Sequence, residues 1–270
     1  MRAVIPAPVP GLDLGREYGR HQSPAIRAGG LIFCSGMVAI NPETGEREHG
    51  TVTSEVRRIF ENLKLLLESA GSSLDRIVQV HVMIYDRIEY DVLNRVYRQY
   101  VPNAPPARTV MSVQIEAGFR VMLDVIAAAE TRQPAAMIYP RQVIEPGGWR
   151  RPGLPLSPAI RAGDFVFLSG MTATDPTTGA PARGTVAAET RQILTNLGEF
   201  AGSRRLLARQ GGQGQCADLF DAGIREHELG LSRILPGRSA GADRLRRRAH
   251  WRPQGRDRMR RAGLSNGVVR

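Results

Sequence analysis

Along residues 25–128 the spacing of apolar positions switches between two and about 3.6, the mark of strands interleaved with amphipathic helices. Residues 25–28 and 31–38 are apolar runs broken by Gly29-Gly30, a hairpin signal. Residues 41–45 are rich in turn formers. Over 53–70, Val56, Ile59, Phe60, Leu63, Leu66 and Leu67 fall on one helical stripe, which predicts a helix with that face buried. Thr53 is the expected N-cap, Glu55 suits the first turn, and Gly71 suits the position just past the C-terminus. Residues 77–85 alternate, with Val78, Val80 and Val82 on one face and Gln79, His81 and Met83 on the other, as in a half-buried strand. A second helix is expected over 89–100, where Leu93, Val96, Tyr97 and Tyr100 share a face and Pro102 follows. Strands at 107–114 and 120–128 complete a ββαβαββ unit of the α+β class, with two helices on one face of a sheet.

The unit is partly repeated. SPAIRAGG at 23–30 returns as SPAIRAGD at 157–164, and LIFCSGMVAINPETG at 31–45 as FVFLSGMTATDPTTG at 165–179. The helix sequence TSEVRRIFENL at 53–63 is echoed by AETRQILTNL at 188–197, again 134 positions on. The chain therefore divides into an N-terminal segment (1–17), a first domain (18–132), a Pro- and Gly-bearing linker (133–150), a partial second copy (151–200) and a remainder (201–270).

Composition changes the picture in that remainder. The formal charge is +11, but residues 201–270 carry 16 Arg, no Lys and 6 acidic residues, so all but one unit of it lies there. Lys64 is the chain's single lysine. Read plainly, 201–270 is a disordered basic tail. The genetic code supports a sharper reading, that of a second copy translated out of frame. When each codon's last two bases are joined to the first base of the next, residues 235–245 permit FPADPPARTA, against VPNAPPARTV at 101–110. In the same way residues 205–215 permit ASSPDKVVKV, against GSSLDRIVQV at 71–80, and residues 256–262 permit EIECVA, against MLDVIA at 122–127. All three keep the offset of 134, which points to one surplus base, or two missing, near codons 198–204.

The SGM-x-x-x-x-P-x-T-G segment, the N-L-K helix ending in AG, the N-x-x-Y helix and above all PPART together resemble the RidA/YjgF family over residues 18–132. The resemblance implies hydrolytic deamination of small reactive 2-imino and enamino acids. It also implies trimer-like assembly of domains, ligand pockets between them, and no cofactor. By the same resemblance Arg108, in PPART, would dock the substrate carboxylate through its planar guanidinium. Tyr90, Asn94 and Gly36 would lie near the pocket. Active relatives carry E-x-E on the last strand; here Met122 holds the first position and Asp124 the second, so Asp124 is the candidate acid/base. The aromatic residue that family members place before S-x-A-[IV]-R is Gln22 in this chain. The out-of-frame reading would restore both glutamates, in EIE, and the arginine.

Rival readings follow from the same residues. A non-catalytic small-carboxylate binder keeps Arg108 and lacks the proton shuttle. A nucleic-acid binder would use the Arg-rich tail, but that tail lacks interleaved aromatics and its arginines are accounted for by frame, so nucleic acid is not the expected partner. Cys34 and Cys216 offer no disulfide framework, and the scattered histidines no metal spacing. No apolar run is long enough to span a bilayer and no signal peptide is visible, so a cytoplasmic protein without a membrane partner is expected.

Overall fold

The computed structural model describes residues 2–13, 22–130, 140–149 and 153–202. The reading of 203–270 as a basic, out-of-frame tail lies outside them. Six strands form one sheet in the order β1-β2-β3-β6-β4-β5: β1 (Arg2–Ile5), β2 (Ala25–Ala28), β3 (Leu31–Cys34), β4 (Ile77–Ile84), β5 (Ala107–Ser112) and β6 (Val121–Ala128). All neighbours are antiparallel except β4 and β5, which run parallel because helix α2 (Tyr90–Tyr100) crosses between them. Helix α1 (Val52–Ser69) precedes β4.

The α+β architecture expected from the apolar spacing is present, with one strand more than expected. Four residues of the N-terminal segment pair with β2, Ile5 opposite Ala25, and form the sheet's outer strand. The β2–β3 hairpin turns at Gly29 (φ 56°) and Gly30 (φ 79°), a left-handed pair that glycine adopts without strain. The stripe on α1 is buried as its spacing requires: Val56, Ile59, Phe60, Leu63, Leu66 and Leu67 are all fully inaccessible. They pack on the alternate residues Val80, Val82, Leu123 and Val125 of the central strands. Phe60 meets α2 edge-on at Tyr97 (centroids 5.4 Å apart) and face-on at Tyr100 (4.6 Å).

The N-cap of α1 is Thr51, two residues before the expected Thr53. Its hydroxyl accepts the Ser54 amide (3.2 Å) while the Ser54 hydroxyl accepts the Thr51 amide (3.0 Å), a reciprocal box. Glu55 does more than favour the helix dipole. Buried at 1% exposure, its carboxylate accepts the amides of Gly50, Arg120 and Val121, and so ties α1 to the start of β6.

The sequence repeat is also a repeat of local bonds. Strands β7 (Arg141–Ile144), β8 (Ala159–Ala162) and β9 (Phe165–Leu168) form a second sheet, and helix α3 (Val186–Gly202) follows. Ala159 faces Leu168 as Ala25 faces Cys34. Asn62 donates to the Ile40 carbonyl and Asn196 to the Thr174 carbonyl, both at 2.8 Å. Strand β7 occupies part of the stretch read as a linker and stands beside β8 as β1 stands beside β2. The hairpin β8–β9 sets Ile160 and Ala162 against Val78 and Ala107 of the first sheet.

Candidate functional site

Arg108 is the second residue of β5, opposite Val80 of β4. Partners across a sheet share a face. Val80 faces the helices, so Arg108 does too, and it meets α2. Its guanidinium carbon lies 4.9 Å from the Tyr97 ring centre and 5.8 Å from that of Tyr90, and its Nη2 donates to the Tyr90 hydroxyl at 3.2 Å. The residue is 1% exposed, yet among the described residues Nε and Nη1 have no hydrogen-bond partner. The buried Asn94 Oδ1 and Tyr97 hydroxyl, both on α2, are likewise unpartnered among the described residues. Burial pulls the Arg108 pKa below its ordinary value, opposed by the two tyrosines, while burial raises that of Tyr97 and holds its hydroxyl in the neutral, donating form. A desolvated cation with unpaired donors is costly by itself and is relieved by an anion with complementary acceptors.

The β5 register places Met122 and Asp124 elsewhere. Asp124 pairs with His81, and His81 with Thr109, so both carboxylate and imidazole lie on the sheet face away from the helices. There Asp124 Oδ1 is 2.7 Å from His81 Nδ1. Met122 shares that face, and a Cβ on Gly36 would sit 3.0 Å from its sulfur. Gly36, expected near the pocket, is thus packed against Met122. Asp124 is two strands from Arg108 across the sheet, about 10 Å, and on its opposite side. Gln22 is exposed. The residues named from sequence thus form two groups: Arg108, Tyr90 and Asn94 on the helix side, and Gly36, Met122 and Asp124 on the other. As acid/base for a ligand at Arg108, Asp124 is wrongly placed within this domain.

Sequence reasoning missed Tyr97 as part of the site, since its helical spacing marks it as core, and it is both. Cys34 is buried at 8% exposure, and burial, with Asp124 adding, pushes its thiol up to about 12. Among the described residues no group of three or more His, Cys, Asp or Glu is placed to hold a metal, and no helix is long and apolar enough to cross a membrane.

Comparison with known proteins places these features in a family. The profile described as endoribonuclease L-PSP matches residues 18–129. A RutC family protein of Pyrococcus abyssi is 40% identical over 91 residues, 34% of this chain and 72% of that protein. Protein HMF1 of Saccharomyces cerevisiae is 32% identical over 107 residues, 39% of this chain and 82% of that protein. Among solved structures, RidA from an Antarctic Psychrobacter is 30% identical, covering 40% of this chain and 88% of its own, with a TM-score of 0.39. With 40% identity across nearly three-quarters of the Pyrococcus protein, and a profile that spans β2 to β6, both helices between them and the PPART strand, the chain belongs to the RidA/YjgF/RutC family.

Proposed function

We propose that the chain captures small 2-imino and enamino acids by their carboxylate at Arg108, and that in its present form it hydrolyses them slowly. The observation that carries this is the buried Arg108 guanidinium over the Tyr97 ring, with Nε and Nη1 unpaired among the described residues and, on the same helix α2, the unpartnered Asn94 Oδ1 and Tyr97 hydroxyl. The carboxylate takes the guanidinium donors, and the substrate's imine N–H faces the amide oxygen of Asn94. Hydrolysis adds water to the C=N carbon, moves a proton to nitrogen, and releases ammonia and a 2-oxo acid. That proton needs a shuttle, and Met122 at the family's glutamate position has none to give.

The second reading, a binder of small carboxylates with no turnover, is favoured by that same Met122. One titration and one assay divide the two. Pyruvate, the 2-oxo acid product of 2-aminoacrylate, should bind the wild type and lose about 100-fold in affinity in Arg108→Ala, which removes a charged partner. Imine hydrolysis, followed as ammonia release from freshly generated 2-iminopropionate, should be slow and Arg108-dependent under the first reading and absent under the second. Pyruvate binding that survives Arg108→Ala would sink both.

A further inference from the structure

The backbone that carries Arg108 is held by the repeated segment, residue after residue. Ala104, two positions before the PPAR strand entry at Pro106, has a positive φ of 43°, a conformation a side chain resists, and its carbonyl accepts Arg141 Nη2. Arg141 Nε also donates to the Ile77 carbonyl of β4 at 2.8 Å. Ser157 donates its hydroxyl to the Pro105 carbonyl (2.5 Å) and its amide to the Pro106 carbonyl (3.1 Å). The Arg108 amide donates to the Ser169 hydroxyl at 2.8 Å, and the Arg108 carbonyl accepts the Gly170 amide at 3.1 Å. The Ser169 hydroxyl in turn donates to the Ser157 carbonyl at 2.6 Å. Ser157 and Ser169 are 4% and 8% exposed, so these bonds are made out of water, where their loss strands a buried donor or acceptor.

The fit is specific. A Cβ on Gly170 would meet Thr109 Cγ2 at 2.9 Å, so a glycine is what lets this segment lie against β5. The first copy contains the same internal arrangement, with the Ser35 hydroxyl on the Ser23 carbonyl at 2.7 Å. What distinguishes the second copy is the strand it holds.

We propose that β7 together with Ser157, Ser169 and Gly170 is a clamp, supplied by the chain to itself, that positions Arg108 for its carboxylate ligand, with Ser169 as the positioning residue. The partial second copy is then a working part of the first domain's site. This rests on the carboxylate reading of Arg108, and the experiment separates the two.

The test uses the full chain, with pyruvate as probe and residue-resolved amide hydrogen exchange as the second readout. In Ser169→Ala the Arg108 amide loses its acceptor; its exchange should quicken and pyruvate affinity fall, each about tenfold, the loss of one buried hydrogen bond. Exchange in α1 and β6 should not change, which a merely destabilising substitution would not spare. Ser169→Thr keeps the hydroxyl and should restore both readouts. Gly170→Ala tests the clamp independently, and Thr109→Ala added to it should relieve the clash and restore binding. Unchanged Arg108 exchange in Ser169→Ala overturns the clamp. Quickened exchange with undiminished affinity, while Arg108→Ala abolishes binding, overturns the positioning role. Binding that survives Arg108→Ala overturns the carboxylate reading instead, and the clamp then stands or falls on exchange at Arg108 alone.

Discussion

Arg108 and Met122 were paired by family resemblance and are parted by strand register. Residue 122 sits two strands away, on the far face of the sheet, so the two positions can serve one ligand only across a boundary between domains. Restoring the family glutamate by Met122→Glu should raise Arg108-dependent imine hydrolysis by about 100-fold, the ordinary value of a well-placed acid/base. An unchanged rate would show that no second copy brings residue 122 to a ligand at Arg108. Cys34 gives a second test. With its thiol pushed up to about 12 by burial, it stays protonated through neutral pH. Iodoacetamide at pH 8 should leave the Cys34 peptide unmodified in the native protein and alkylate it in denaturant, as mass spectrometry would read. The linkage has a definite sign. The unfolded thiol ionises near its ordinary value and the folded one only near 12, so Cys34 takes stability away as pH rises through that window and costs nothing below it.

The elements were legible where one face is buried and the spacing is long. The α1 stripe and the alternation of β4 appear in sequence because eighteen and eight residues repeat the same inside-outside choice. The cap of α1 was not, since Thr51 and Thr53 both offer a hydroxyl and only the reciprocal bond with Ser54 separates them. Thr51→Ala should therefore cost about 1 kcal/mol of stability, and Thr53→Ala far less, by denaturant unfolding. β1 was missed because four residues, three of them exposed and only Ile5 partly buried, carry no period to read. The division of the site into two groups was equally hidden. It depends on the parallel register of β5 against β4, set by the α2 crossover and not by any local pattern. Arg108 itself was found only because PPART is distinctive; its spacing on β5 says nothing of a charge turned inward.

For the molecule as a whole, the repeat at an offset of 134 and the matching local bonds from 159 to 196 describe a second copy under way. We propose that its completion is encoded in a shifted frame, as the codons that residues 205–262 permit suggest. A gene corrected by one base near codons 198–204 should yield a chain whose second copy carries PPART and E-x-E, and that chain should hydrolyse 2-iminopropionate at least about 100-fold faster than the present one. Equal rates would mean that the restored glutamates do not reach an arginine. The hydrolysis assay and a proteolysis map of the corrected chain measure this together.

The clamp on β5 also bears on how this sheet meets other chains. A twisted sheet normally exposes backbone along both outer strands, and either one is a template for further strands. Here the outward amide and carbonyl of Arg108 are taken by Ser169 and Gly170, which leaves Val110 and Ser112 as a two-residue stub on that side, too short to seat a strand. Among the described residues, β1 is then the outer strand left for strand addition to this sheet. Two molecules joined there would finish the sheet at both ends, and the growth of a fibril along it would stop at the pair.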